Sequence, residues 1–504
     1  ATGYLGEGVS EIGLVMLLNR LAHRQRRQLG LLRRLRRLLG REYAAAGAGD
    51  KNRGRDFQAS LAAQIDGESE PAVLMLLADL HDHFAVWSEL LATNLVDSDE
   101  FQENSFKLRV TRREREAAVW RRELAEAVRG FLEEGEKVIE VLRDLERNLD
   151  RGLREQQLPE KIFSPPLLEL GAVLDRLQAQ IDFVGAFFLN RESDPGVIAW
   201  VEASAGRRHN LRLVLAPLEV GPLLAENLYR RLRSLIMVSA TIAVGGSFDF
   251  FVDRVGLRQR PPEKKLNTAI LPGPFDYRRN ARIFVPQDLP LPNEPGYLAA
   301  LALLLDTLIT RIGGRTLVLF TSYRAMREVA LACRESLRRR GLRLLLQGEG
   351  QRQWLLQQLQ SDFSTVLFAT DSFWEGIDVK GRALECLVIV RLPFRVPSDP
   401  VLAARLEFIE AGGGNPFYDY SLPQTALKLK QGVGRLIRSR EDRGIIVIAD
   451  RRLVEKKYGA RLRSVLPPAP LQVLPGGDLV AAAAAFFRRP GPAVAGGPDE
   501  GKTL

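Results

Sequence analysis

After Asp194-Pro195-Gly196 the chain turns into short, uninterrupted apolar runs separated by segments with helical spacing. No other feature constrains the fold as much. A strand that alternates apolar and polar residues can leave one face wet, whereas a continuous apolar run needs cover on both faces. The runs lie at 197–201, 211–215, 235–238, 282–285, 316–320, 342–346, 365–369, 387–390 and 445–449. Alternating with helices, they predict an α/β fold built on a parallel sheet with helices on either side. The first third reads differently. Leu14, Leu17, Leu18 and Leu21 recur at helical spacing, as do Leu76, Leu80, Phe84, Trp87 and Leu91. A long stripe of Leu124, Phe131, Val138, Leu142, Leu145 and Leu149 predicts a helix over 114–149, and another spans 167–188. The segment from Pro475 is rich in Ala, Gly and Pro and reads as a poorly ordered tail.

Composition narrows the class. The chain has 504 residues, 46% apolar and 27% charged, which is globular and enough for about three or four domains. Its formal charge of +10 points toward a polyanionic partner, chiefly nucleic acid, although arginine also decorates ordinary solvated faces. The two cysteines, Cys333 and Cys386, exclude a disulfide scaffold and a cysteine-rich metal site within these residues. They suit a reducing, cytoplasmic setting. No apolar run reaches the ~18 residues of a membrane span, and residues 1–19 do not read as a secretory leader.

Four segments carry candidate chemistry. Gln431-Gly432-Val433-Gly434-Arg435-Leu436-Ile437-Arg438 is predicted to end a helix that starts near Leu422-Pro423. Arg435 and Arg438 would then share a helical face, one turn after Gln431. Two guanidinium groups and an amide suit a γ-phosphate and its attacking water; the plainer reading is a solvated basic face. Asp371-Ser372-Phe373-Trp374-Glu375-Gly376-Ile377-Asp378 follows an apolar strand, where α/β sites sit. Its plainer reading is a strand-to-helix turn capped by Asp and Ser. Val238-Ser239-Ala240-Thr241 and Phe320-Thr321-Ser322-Tyr323 each end an apolar run in hydroxyl residues, which cap helices or bind phosphate.

In this order the four segments resemble motifs VI, V, III and IV of the DinG/XPD-like superfamily 2 DNA helicases. Arg391-Leu392-Pro393-Phe394 with Pro397, Asp399 and Pro400, and Asp450-Arg451-Arg452, add to the likeness. The resemblance covers roughly 194–466 and extends weakly into the helical first third. It implies an arch-like helical insertion over 1–193, the end of a RecA-like motor domain 1 with motif III over 194–250, a RecA-like motor domain 2 over 251–474, and the tail over 475–504. By the same resemblance Gln431, Arg435 and Arg438 act on ATP, with Gly434 also near the nucleotide. Gly376 and Asp378 would couple nucleotide state to DNA. Thr321, Ser322 and Ser372 would touch the DNA backbone, while Ser239 and Thr241 would link hydrolysis to movement. The implied activity is ATP- and Mg²⁺-dependent 5′ to 3′ translocation on single-stranded DNA. It would unwind forked or duplex DNA in repair or replication, by a monomer. The rival from another class is a non-catalytic single-stranded nucleic-acid-binding protein with a degenerate motor. Retained Gln431, Arg435 and Arg438 argue against it. An RNA helicase is a third reading, disfavoured by the S-F-W-E-G-I-D and L-P-F strings.

The sequence departs from the family pattern in one respect. It contains no Asp-Glu-Ala-His box, and Ala1 stands where the family's segment after motif II would begin, so the chain reads as starting just downstream of that box. The family's iron–sulfur cysteines also lie upstream, which leaves a cluster open. Residues 496–503, G-G-P-D-E-G-K-T, fit a phosphate-loop pattern. They lack the preceding strand and following helix that make such a loop work, and Asp499-Glu500 would repel phosphate. Two other features have an ordinary surface reading. His81 and His83 would point apart on a helix, so no metal site is expected. Residues 20–41 hold arginines without an acid and read as a basic amphipathic helix, solvated in the plainer reading and in contact with DNA phosphate in the other.

Overall fold

The computed structural model describes residues 6–26, 28–41, 51–96, 106–190, 194–204, 210–370, 373, 383–395 and 399–488. The chain divides into two compact units, residues 1–220 with 397–405, and 221–396 with 406–504.

The first unit is a helical bundle backed by a small sheet. Its long helices are Glu70–Leu95, Ala125–Arg154 and Glu160–Leu189. The predicted stripe is buried: Phe131, Leu142, Leu145 and Leu149 are fully enclosed. The single helix expected over 114–149 is broken at its start. A short helix Arg112–Glu116, capped by Thr111 and Glu114, is followed by a π-helical turn Trp120–Leu124. The sheet holds β1 (Glu7–Ser10), β2 (Phe106–Val110), β3 (Val197–Ser204) and β4 (Asn210–Pro217) in the order β1-β4-β3-β2. All its pairings are antiparallel. This corrects the assignment of 197–201 and 211–215 to a motor-domain parallel sheet. Only residues 205–209 separate β3 from β4, and a parallel crossover needs about a dozen or more. Both strands are nevertheless apolar on two faces. Ala199 and Val201 join the helical core, while Ile198 and Trp200 pack with Val214, Leu218 and Ala404 on the other side.

The second unit is the α/β layer. Its strands are β5 (Ala281–Pro286), β6 (Thr316–Leu319), β7 (Arg343–Leu346), β8 (Thr365–Ala369), β9 (Cys386–Ile389), β10 (Gly444–Ile448) and β11 (Leu471–Leu474). They form a seven-stranded sheet, ordered β11-β5-β10-β9-β6-β8-β7. Every pairing in it is parallel. The unbroken apolar runs follow from burial on both sides. Phe284, Val318, Val366 and Phe368 face helices Tyr297–Ile312 and Tyr323–Arg339. Ile283, Leu317, Leu319 and Leu367 face helices Arg352–Ser361 and Leu422–Val433. The fold is α/β and RecA-like, as expected.

Two expectations fail here. Residues 235–238 form no strand: Ile236 is 86% and Val238 88% exposed. An apolar run becomes a strand only where a neighbour completes its ladder, and no described residue does so. The expected tail from Pro475 instead begins with helix Gly476–Arg488, which buries Leu479, Ala483 and Phe486 against the sheet's helical cover. Residues 489–504, including the phosphate-loop look-alike, lie outside the described residues.

Candidate functional site

Parallel strands all end on one edge of their sheet, so the residues that follow them converge there. Thr321-Ser322 follow β6, Gln347 follows β7, Thr370 follows β8, Arg391 follows β9 and Asp450 follows β10. Ser322 caps helix Tyr323–Arg339, its Oγ accepting the Ala325 N–H at 3.4 Å. Thr321 and Ser322 remain half-buried. The Gln347 carboxamide joins three of these strand exits. Its Oε1 accepts from the Thr370 N–H at 2.7 Å and from the Thr370 hydroxyl at 3.0 Å. Its Nε2 donates to the Tyr323 hydroxyl. Thr370, at the exit of β8, is thereby tied to Tyr323, which follows the Thr321-Ser322 turn. Ser372, Gly376 and Asp378 themselves lie outside the described residues.

Asp450 organises the next two exits. Its side chain is fully buried and accepts from the Leu392 N–H at 2.9 Å and from Arg452 Nε and Nη2 at 2.9 and 2.6 Å. The bond to Asp450 raises the Arg452 pKa against the opposing effect of burial. Tyr297 donates to the carbonyls of Val390 and Ala449, and the Arg391 guanidinium lies 5.2 Å from its ring centroid. Burial, with the Asp450 charge second, pushes the Tyr297 hydroxyl pKa upward. The Arg391-Leu392-Pro393-Phe394 and Asp450-Arg451-Arg452 strings therefore form one buried polar clamp.

Gln431 sits half-buried in helix Leu422–Val433, which starts where expected. The helix stops at Val433, with Gly434 as its C-cap at φ −67°. Arg435 and Arg438 consequently leave in a turn and loop; they do not share a helical face, which corrects the spacing argument. Asp442 shapes that loop instead. Its carboxylate accepts from the N–H groups of Arg438 (2.7 Å) and Ser439 (2.8 Å) and from the Ser439 hydroxyl (2.7 Å). Asn280, just before β5, donates to the Arg440 carbonyl at 3.1 Å. Arg435 and Arg438 thus lie toward the edge where β5 and β10 begin, opposite the edge that carries Thr321 and Ser322. Ser239 and Thr241 are near the surface, with Ser239 Oγ accepting the Thr241 N–H at 3.2 Å. That bond closes a local turn; no helix starts there for either hydroxyl to cap.

No cluster of three or more His, Cys, Asp or Glu side chains that could hold a metal occurs among the described residues. His81 pairs with Glu11 at 2.8 Å and His83 with Glu134 at 3.0 Å, on different neighbours. The basic helix Leu31–Leu39 is also neutralised locally, Arg33 by Glu70, Arg34 by Glu169 and Arg36 by Asp66. Gln347 and Asp442 were missed by sequence reasoning. The signal for Gln347 was a polar residue at the end of an apolar run. Asp442 carried none beyond lying close to Arg438.

Residues 305–469 match the helicase C-terminal domain family. Over 282 residues the chain is 42% identical to the ATP-dependent DNA helicase YoaA of Escherichia coli, covering 56% of this chain and 42% of that protein. Over 353 residues it is 34% identical to the ATP-dependent DNA helicase DinG of Photobacterium profundum, covering 68% of this chain and 50% of that one. The matched residues belong to the helicase C-terminal domain family, and over them the chain is similar to the DinG and YoaA helicases. It spans about half the length of the curated DinG and YoaA relatives it matches. Superposition on an XPD helicase covers 94% of this chain and 66% of the other, with 14% identity and a TM-score of 0.45. In this chain the matched domain spans β6 to β10, and so carries the Gln347, Asp442 and Asp450 clamps. Among the described residues no helix is long and apolar enough to cross a membrane.

Proposed function

We propose that the chain serves an ATP-dependent DNA helicase that moves 5′ to 3′ along single-stranded DNA and opens forked or duplex DNA in the cytoplasm, in repair or replication. The observation that carries this reading is the separation of Arg435 and Arg438, at one edge of the sheet, from Thr321 and Ser322 at the other. A motor must bind nucleotide and strand on different surfaces so that one can act on the other.

Gln431, Arg435 and Arg438 are the residues that would hold the triphosphate. Guanidinium groups on a loop pinned by the buried Asp442 carboxylate suit phosphate oxygens, so these residues fit ATP. ATP supplies the phosphoanhydride bond whose cleavage drives movement. The arginines stabilise charge that grows on the γ-phosphate oxygens, and Gln431 can orient the attacking water. The described residues offer no matching set for Mg²⁺, so no step is assigned through it. Thr321 and Ser322 offer hydroxyls to the backbone of a strand, which positions without reading sequence. By itself this 504-residue chain is expected to bind single-stranded DNA weakly and not to turn over ATP, because residues 496–503 have the wrong context for a phosphate loop.

The test is Arg438→Ala in a full-length protein carrying this chain. DNA-stimulated ATPase should fall about 10³-fold with little change in nucleotide-free DNA affinity. Arg438→Lys should not rescue, since an ammonium lacks the planar fork. Near-normal turnover in Arg438→Ala, or a loss of DNA affinity in proportion to rate, would overturn the assignment.

A further inference from the structure

The helical unit contains a cavity of about 740 Å³ lined by Arg112, Arg115, Arg121 and Arg129, with Glu116 the one acid among its described lining residues. Three elements build it. Thr111 and Glu114 cap the short helix that carries Arg112 and Arg115. The π-helical turn Trp120–Leu124 carries Arg121, and the helix that follows it carries Arg129. Ala125 lies in the wall between Arg121 and Arg129, and its small side chain leaves the space open. Trp120 fixes the floor by donating from Nε1 to the Phe188 carbonyl at 3.0 Å.

The charges here are not balanced as they are elsewhere in this unit. Arg33, Arg36, Arg143 and Arg154 each meet a carboxylate. Glu116 is taken by Arg112 at 2.7 Å. Arg115 is half-buried over the rings of Trp120 and Phe187, and among the described residues its Nη1 donates to the carbonyls of Phe187 (2.7 Å) and Asn190 (3.3 Å) but meets no carboxylate, while its Nε finds no acceptor. Burial accordingly pushes the Arg115 pKa down. Arg121 and Arg129 are exposed and make no ion pair within 4 Å among the described residues, Arg121 acting on Glu116 only at longer range. Buried or clustered cations without counter-charges are costly, and a phosphate would supply the missing anion. The volume lies within the ~300–1,000 Å³ of ligand clefts, which is more than a lone phosphate needs. Trp120 is only 3% exposed, so no aromatic face is free to stack on a base.

We propose that this arginine-lined cavity is a second nucleic-acid contact, which takes backbone phosphates of a single strand without reading its bases. The proposal rests on the DNA-motor reading only for the source of the phosphates.

The experiment uses the 504-residue chain and a fluorescein-labelled oligo-dT strand, with anisotropy measured across a salt series. Arg121→Ala/Arg129→Ala removes two exposed guanidinium groups that hold no carboxylate within 4 Å among the described residues and should leave the fold intact, which circular dichroism checks. The expected result is affinity about tenfold or more lower at 50 mM salt, with the log–log salt slope reduced by about 1.4, at about 0.7 per single-strand phosphate contact. Arg143→Ala/Arg147→Ala, which removes equal charge from carboxylate-paired arginines of the same unit, should leave the slope unchanged. The proposal is overturned if the strand binds and neither pair changes the slope, or if both change it equally, which would mean only a diffuse field. Failure of the unaltered chain to bind the strand at all would count against the DNA-motor reading itself. In that case calorimetry with inorganic pyrophosphate separates the remaining outcomes. Binding that Arg121→Ala/Arg129→Ala abolishes would make the cavity a small-anion site, and no binding would leave it without a phosphate role; either overturns the strand contact.

Discussion

Replacing Asp450 with asparagine should unfold the parallel-sheet unit well before the helical unit. The carboxylate is fully buried and accepts from four donor groups, the Leu392 N–H (2.9 Å) and Arg452 N, Nε and Nη2 (3.1, 2.9 and 2.6 Å). Asparagine keeps the volume but removes the charge, and it turns an N–H toward either the guanidinium or the Leu392 amide. Removing one partner of a buried ion pair costs about 3–5 kcal/mol. The Arg452 side chain keeps 23% exposure, so water relieves part of the loss and about 3 kcal/mol is expected. In a unit of this size that lowers Tm by about 6–12 °C. Two compact units should give two calorimetric transitions, and only one should move. Arg338→Ala, which breaks an exposed pair with Glu335 in the same unit, is the control and should leave both in place. Amide exchange at Leu392 should quicken in the asparagine variant, because its acceptor is lost. A shift under about 2 °C, equal shifts in both transitions, or unchanged exchange at Leu392 would refute the reasoning.

Burial pushes the thiols of Cys333 and Cys386 up to about 12, so at pH 8 only about one in ten thousand is thiolate. Iodoacetamide should leave both intact in the native chain and modify both in urea; rapid native labelling would show that these cores are open. Gly444→Ala should lower the Tm of the same unit by several degrees. An added Cβ would stand 2.5 Å from the Glu385 carbonyl oxygen and 2.7 Å from Leu436 Cδ1, a backbone clash that costs about 1–3 kcal/mol. An unchanged Tm would mean that β9 and β10 can spread there.

Much of the sheet was legible because its signal is local. Strands β5 to β10 are buried on both faces by their own residues, so each appears as an apolar run whatever its partner is. The helical stripes of the first third were legible for the same reason, since a 3.6-residue period needs no knowledge of the neighbour. The motif strings were legible as residue types in order.

What the strings could not carry was geometry set by distant residues. The helix Leu422–Val433 ends before Arg435, and Asp442 decides where Arg438 goes by holding two main-chain N–H groups. Gln347 and Asp450 act across 23 and 58 residues, respectively. Partner choice was equally invisible. The run at 235–238 has the composition of a strand and no neighbour among the described residues, whereas Glu7–Ser10, with Gly8 and Ser10, becomes one because β4 lies alongside it. Residue chemistry decided by itself which segments must be covered and which side chains can bind phosphate. Tertiary structure alone decided what covers them and where those side chains stand, because hydrogen-bond ladders and buried carboxylate clamps join residues that local sequence never brings together.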